Sequence, residues 1–254
     1  MGNERAGTVK TLDVIHNELR ELAQKKLRDG QPAYLFRGER INYPTTLSSA
    51  DRHYHSENLE WEIVSELDEI TFFVMSQPIH FLGEQLPARL AGAFAQHFGF
   101  PTQIFDFTAS PDVAIYFASN RITHKNKSEI GTIGILDVEA AEKSKAVVLF
   151  DLRRFAQALR ARRQDAFGMI YSAFDIEDFT DLKRRDIANR IGLTWQLFAH
   201  LPDDETYLYL IGANKDLESK EGDKFADVPE KMIKEYVATS GKPLSPEAAK
   251  ILVW

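Results

Sequence analysis

The chain contains no cysteine. That excludes disulfides, thiolate metal sites and a cysteine nucleophile, and it fits a reducing cytoplasm. A second absence is any apolar run of the roughly 18 residues that a membrane span takes, so a membrane protein of that kind is not expected. The first residues, Met1-Gly2-Asn3-Glu4-Arg5, hold no apolar stretch of signal-peptide type. Ala6 stands where a myristoylation signal has Ser or Thr. Excess positive charge is also missing: the net charge of −7 argues against a dedicated nucleic-acid binder, although local basic patches leave that function open. Internal repeats, low-complexity segments and a convincing linker are absent as well. A globular chain of the cytoplasm is the expectation.

What is present reads as one mixed α/β domain over residues 1–254, with a core over about 33–212 and helical extensions at 8–29 and 225–254. Helical spacing of Val9, Leu12, Ile15, Leu19, Leu22, Ala23 and Leu27 predicts the first helix, stopped by Asp29-Gly30-Gln31-Pro32. Further helices are expected from Glu57 to about Met75, capped by Ser56, and from Gln85 to Phe98. Ser110-Pro111-Asp112 predicts another start: a capping hydroxyl, Pro at the first helical position and an acid in the first turn. Strands are expected at Ala33–Phe36, Thr102–Phe105, Glu129–Val138 and Leu193–Phe198. Ala146–Leu152 reads as a strand or as the start of a helix. Tyr207–Ile211 reads as a strand able to form a hairpin with Leu193–Phe198 across Pro202-Asp203-Asp204. Asp181–Ile191 and the terminal segments Phe225–Ala238 and Ser245–Leu252 read as helices.

The polar residues set among these apolar elements are the candidates for chemistry, because polar groups in an apolar setting must be paired or used. Arg37, after the strand Ala33–Phe36, is either bridged to a carboxylate or serves as an anion clamp, since guanidinium matches phosphate bidentately. Gly38 would let a ligand approach the backbone. The hydroxyl-rich loop Tyr43-Pro44-Thr45-Thr46-Leu47-Ser48-Ser49 follows. His97 lies on the core side of its helix and reads as a packed histidine or a site residue. Asp106 reads as a structural acid, paired with Arg37 or capping the turn at Thr108, or as a reacting group. His53 and His55 could share a face of a strand, but no third ligand stands at useful spacing, so a solvated loop is preferred to a metal site. The run Arg153, Arg154, Arg160, Arg162 and Arg163 is a solvated helix face or a contact for an anionic partner.

Several of these residues together resemble a known family. Phe36-Arg37-Gly38, the hydroxyl loop, Ala95-Gln96-His97-Phe98-Gly99-Phe100-Pro101-Thr102, Asp106-Phe107-Thr108 and Val113-Ala114-Ile115-Tyr116-Phe117-Ala118 resemble the FRG domain, over roughly residues 33–200. There are two departures: late in the chain Arg190-Ile191 and Phe198 fit the family pattern, but Thr194 stands where Gln is usual and Gln196 where Gly is usual. Leu47 stands where a Pro is common. The layout in turn is similar to the ADP-ribosyltransferase fold, which implies a central, mainly antiparallel split sheet flanked by N- and C-terminal helices.

The resemblance implies NAD as co-substrate and no metal. By it, the catalytic set is Arg37, His97, Asp106, Thr108 and Gln196, and the cofactor-binding set is Arg37, Gly38, Tyr43, Thr45, Ser48 and Tyr116. Cleaving the glycosidic bond of NAD passes through an oxocarbenium-like state, which calls for a nearby negative charge. The late Glu that supplies it in such transferases is missing, and Gln196 can offer only a hydrogen bond. Asp106 is the nearest acidic substitute, with Glu39 and Glu62 behind it. Two expectations follow: an NAD-using transferase, of toxin or anti-phage type, acting on a nucleic acid or protein; or a non-catalytic module binding a nucleotide or nucleic acid.

Overall fold

The computed structural model describes residues 7–42, 48–50, 59–77, 88–97, 99–119, 130–154, 159–171, 190–200, 205–218 and 228–252. In chain order its elements are β1 (Val9–Lys10), α1 (Leu12–Ala23), β2 (Tyr34–Glu39), α2 (Trp61–Ser76), α3 (Ala88–His97), β3 (Phe105–Thr108) and α4 (Pro111–Ser119). There follow β4 (Ile130–Asp137), α5 (Val138–Ser144), β5 (Val147–Asp151), a 3-10 turn at Leu152–Arg154, α6 (Leu159–Arg163), β6 (Ala166–Tyr171) and β7 (Leu193–Ala199). The chain ends with α7 (Glu205–Ala213), a 3-10 turn at Lys215–Glu218, α8 (Val228–Ser240) and α9 (Pro246–Ile251).

The chain divides into two compact units. The first draws on the described residues of Met1–Thr46, Asp106–Phe155 and Arg160–Ser219, the second on those of Leu47–Phe105, Ala156–Leu159 and Lys220–Trp254. The first unit is built on one open seven-stranded sheet in the order β1-β7-β4-β2-β3-β6-β5. The pairings β2–β3, β2–β4, β4–β7 and β5–β6 are antiparallel, and β1 runs parallel to β7. The expected mixed class and mainly antiparallel character are present; the sheet is continuous rather than split. Helices α1 and α4 cover one face. Leu12, Ile15 and Leu19 of α1 and Ala114, Ile115 and Ala118 of α4 pack there with Phe36, Ile133, Ile135 and Phe198 of the strands. Burying such side chains stabilises by about 1.5–3 kcal/mol each for the larger ones. In the second unit Leu67, Ile70 and Val74 of α2 meet Met232 and Tyr236 of α8 and Ala248 of α9.

Several expectations shift. Val9 does not belong to the first helix; it pairs with Leu197 as an edge strand, so α1 starts at Leu12. The expected strand at Thr102 moves to β3, because Thr102 is tied elsewhere: Ser49 Oγ donates to its carbonyl and accepts from its amide, each at 3.0 Å. The amide of Ile104 also points to Thr102 Oγ1, at 3.3 Å. Helix α2 begins at Trp61 with Glu60 at its cap and no side-chain capping bond, while Ser56 lies outside the described residues. The ambiguous segment at Ala146–Leu152 resolves into β5 followed by a 3-10 turn. Strand β6 was not anticipated.

The largest correction concerns Tyr207–Ile211, which lies in helix α7 and forms no hairpin. The reason is the topology: β4 runs along one side of β7, and β1 pairs with Leu197 and Phe198 on the other, at the end of β7 where a hairpin strand would begin to pair. Tyr209 and Leu208 face solvent at 71% and 57% exposure, which the aromatic and apolar character of the run disguised. The expected helix Asp181–Ile191 lies outside the described residues except for its last two positions.

Candidate functional site

Strand β2 continues through Arg37, Gly38 and Glu39 instead of ending before them. Successive side chains therefore alternate between the faces of the sheet. Gly38 faces α4, and a Cβ there would lie 1.9 Å from the carbonyl oxygen of Ala114 and 2.7 Å from the amide nitrogen of Ala118. The close approach that Gly38 permits is thus to the backbone of α4. Arg37 and Glu39 point to the opposite face.

On that face Arg37 and Glu39 form a buried pair, 8% and 6% exposed. Arg37 Nε donates to Glu39 Oε1 at 3.1 Å, and Arg37 Nη1 donates to the backbone carbonyl of Asp106 at 2.9 Å. The guanidinium is held along its strand and also stitched to β3. The carboxylate that bridges Arg37 is that of Glu39; Asp106 supplies only its carbonyl, and its side chain is exposed.

The register extends this face sideways. Arg37 stands opposite Gly134 on β4, and Gly134 stands opposite Trp195 on β7. A Cβ at Gly134 would lie 2.8 Å from the Trp195 ring, so the indole lies over Gly134, in the row that leads to Arg37. The next row is Glu39, Thr132 and Leu197, with Thr132 fully buried. Trp195 and Thr132 were not singled out from sequence. The signal that could have found them is the strand alternation itself, once β4 and β7 were aligned with β2.

Gln196 falls on the other face. Its partner across the ladder is Ile133, which packs with α1 and α4. Gln196 Nε2 donates to Glu18 Oε2 of α1 at 2.9 Å, and Lys10 Nζ holds the same carboxylate at 2.8 and 2.7 Å. Lys10 first, then Gln196, keeps the Glu18 carboxyl below its ordinary pKa. Gln196 and Arg37 therefore do not meet across one pocket, because residues of opposite parity point to opposite sides of a sheet.

The remaining candidates are placed as follows. Thr108 is 5% exposed; its hydroxyl donates to the Gln164 carbonyl at 2.7 Å and accepts from the Ser110 amide at 3.0 Å. It shapes the turn into α4, where Ser110 Oγ caps the Val113 amide as expected. Tyr116 is buried in a cluster with Val113 and Leu217, its ring edge-on to Phe117 at 5.4 Å. Ser48 is fully buried, in the second unit. His97 is the last residue of α3, also in the second unit, and its side chain lies outside the described residues, as do Tyr43 and Thr45.

Of the basic run, Arg153 is used internally. It bonds Asp151 through Nε and Nη2 at 2.8 Å each and Asp165 through Nη1 at 2.9 Å, with its guanidinium carbon 4.5 Å from the Phe167 ring centre. The Asp151 contact, with Asp165 behind it, strengthens its hold on the proton. Arg162 and Arg163 are exposed; the side chains of Arg154 and Arg160 lie outside the described residues. His53 and His55 lie outside them too. Among the described residues no group of three or more His, Cys, Asp or Glu could hold a metal ion, and no helix is long and apolar enough to cross a membrane.

With β2, β3 and α4 in place, the run from Phe36-Arg37-Gly38 to Tyr116-Phe117-Ala118 can be set against known families. Residues 32–127 match the FRG domain. The FRG match takes in the Arg37–Gly38 strand, α3, β3 and α4, and ends before β4 and β7. The late residues Gln196 and Trp195 therefore lie beyond it, as does the resemblance expected as far as residue 200. No curated protein and no solved structure matches the chain.

Proposed function

We propose that the chain binds a nucleotide-type ligand, NAD being the one its sequence resemblance implies, on the sheet face that carries Arg37, Glu39 and Trp195. The observation that carries this reading is the burial of Arg37 and Glu39 side by side. Replacing a buried ion pair with apolar side chains of similar volume typically leaves stability unchanged or raises it by about 1–4 kcal/mol. Stability is therefore a weak reason to keep the pair there. A guanidinium anchored through Nε and Nη1 is pre-oriented for a phosphate, so little conformational freedom is lost on binding. An indole in the same row offers a flat surface for a nucleotide ring.

A second reading, an NAD-dependent ADP-ribosyltransferase-like enzyme of toxin or anti-phage type, is favoured by one feature. Glu39 sets a carboxylate on the same face as Arg37, where Gln196 has none, and NAD cleavage develops positive charge on the ribose. In that reading Glu39, not Gln196 or Asp106, supplies the negative charge, and the acceptor is a nucleic acid or a protein.

One set of measurements separates the two. NAD is titrated calorimetrically into the wild type and into Trp195→Ala and Glu39→Gln, while mass spectrometry follows nicotinamide release. Binding without release supports the first reading. Release that falls about 10²–10³-fold in Glu39→Gln supports the second. Absence of saturable NAD binding up to about 1 mM rejects both.

A further inference from the structure

The second unit carries a surface that the nucleotide reading does not use. Helix α2 shows solvent two large aromatic side chains, Trp61 and Phe72, each 75% exposed. Their spacing of eleven residues puts them on one side of the helix, about three turns apart, with Ser65 and Asp68 between them. At the Trp61 end an open groove of about 640 Å³ runs between α2 and the segment Lys242–Pro246, its walls including Glu62, Glu66, Glu69 and Tyr236.

Charge decides what fits there. Three carboxylates line the groove against one ammonium, Lys242, which sits 3.8 Å from Glu69. Helix α2 as a whole holds Glu62, Glu66, Asp68 and Glu69 and no Lys or Arg. The start of α9, a natural place for an anion, is already taken: Glu66 accepts from the Ser245 amide at 2.8 Å and from its hydroxyl at 2.5 Å. Tyr236 likewise spends its hydroxyl on Glu69, at 3.0 Å. A phosphate would find its donors occupied and meet net negative charge. Glu62, by contrast, is exposed, in the first turn of α2 next to Trp61. Trp61 and Glu62 both line the groove, and an exposed indole and a carboxylate facing one groove suit a planar cation, which can stack on the ring while pairing with the acid.

We propose that this groove docks an arginine-bearing segment of a partner protein, with a guanidinium stacked on Trp61 and paired with Glu62, and with Phe72 extending the apolar contact along the same side of α2. The test uses the full chain and a fluorescent peptide alternating arginine and alanine, read by anisotropy. A peptide with citrulline in place of arginine keeps the shape and removes the charge. The expected result is saturable binding that weakens about tenfold with citrulline, with Trp61→Ala and with Glu62→Gln. Both positions are exposed, and far-ultraviolet circular dichroism confirms that the variants fold. Equal binding of the two peptides, indifference to both substitutions, no saturable binding, or preference for a phosphopeptide or oligonucleotide would each overturn the proposal. None of these outcomes bears on Arg37 or Glu39, so this proposal and the nucleotide reading fail separately.

Discussion

Arg37 shows how one side chain can carry two accounts at once. It stitches β2 to β3 through the Asp106 carbonyl, and it pairs with Glu39 on a face that also holds Trp195. Stability measurements distinguish the roles. Arg37→Met alone leaves a buried carboxylate without its guanidinium and is expected to cost about 3–5 kcal/mol in urea unfolding. Arg37→Met combined with Glu39→Leu removes both charges and is expected to recover most of that loss, while NAD binding stays abolished. If the double variant is as unstable as the single one, the stitch to β3 is the larger contribution. Arg37, and the choice between a bridge and a clamp, were legible in the sequence. Glu39 was legible only as a remote substitute, because two residues of the same parity become neighbours only once the segment is known to be a strand.

At the scale of elements, the contact between β2 and α4 organises the first unit. Gly38 lets α4 lie directly on the sheet, and Ala114 and Ala118 supply the matching small side. Gly38→Ala would drive a methyl group into the Ala114 carbonyl, a backbone atom that cannot turn aside. The expected loss is about 3 kcal/mol or more, or no folded protein, as judged by thermal unfolding and near-ultraviolet circular dichroism. Helix α4 is also tied to α1, since His16 Nε2 and Asp112 Oδ1 lie 2.7 Å apart. The His16 contact, with a smaller contribution from Arg20, holds the Asp112 carboxyl below its ordinary pKa. A carboxyl depressed in the folded state adds stability that is present above its unfolded pKa, about 3.9, and lost as pH falls through the folded one. Asp112→Asn is therefore expected to lower stability near neutral pH and to flatten its fall below about pH 4, measured as urea midpoints across an acid series. The signal for α4 was legible in Ser110-Pro111-Asp112, since capping is local. That for α7 was not, because a short apolar and aromatic run fits either period.

For the whole molecule, charge and its placement bear on which partner chemistry suits its surface. The net charge of −7 and the enclosure of Arg153 between Asp151 and Asp165 leave the basic run a poorer anion surface than its composition suggests. A labelled single-stranded oligonucleotide at physiological salt is expected to bind no more tightly than about 10⁻⁴ M, with no change on Arg153→Ala, read by anisotropy. Micromolar, salt-sensitive binding would return the run to the list of partner contacts. The same placement rule divided the expected site. Composition, the caps at Ser110 and Ser245, the strand that holds Gln196, and the helical stripe of α1 follow from local periods of two and 3.6 and from local hydrogen bonds, so the amino-acid order alone determined them. Which strands stand beside one another, which face each side chain takes, and whether a buried charge finds Glu39 or Asp106 depend on residues far apart in the chain. Only the tertiary structure decided these, because pairing and register are settled by long-range burial, and a shift of one position sends every side chain of a strand to the other side.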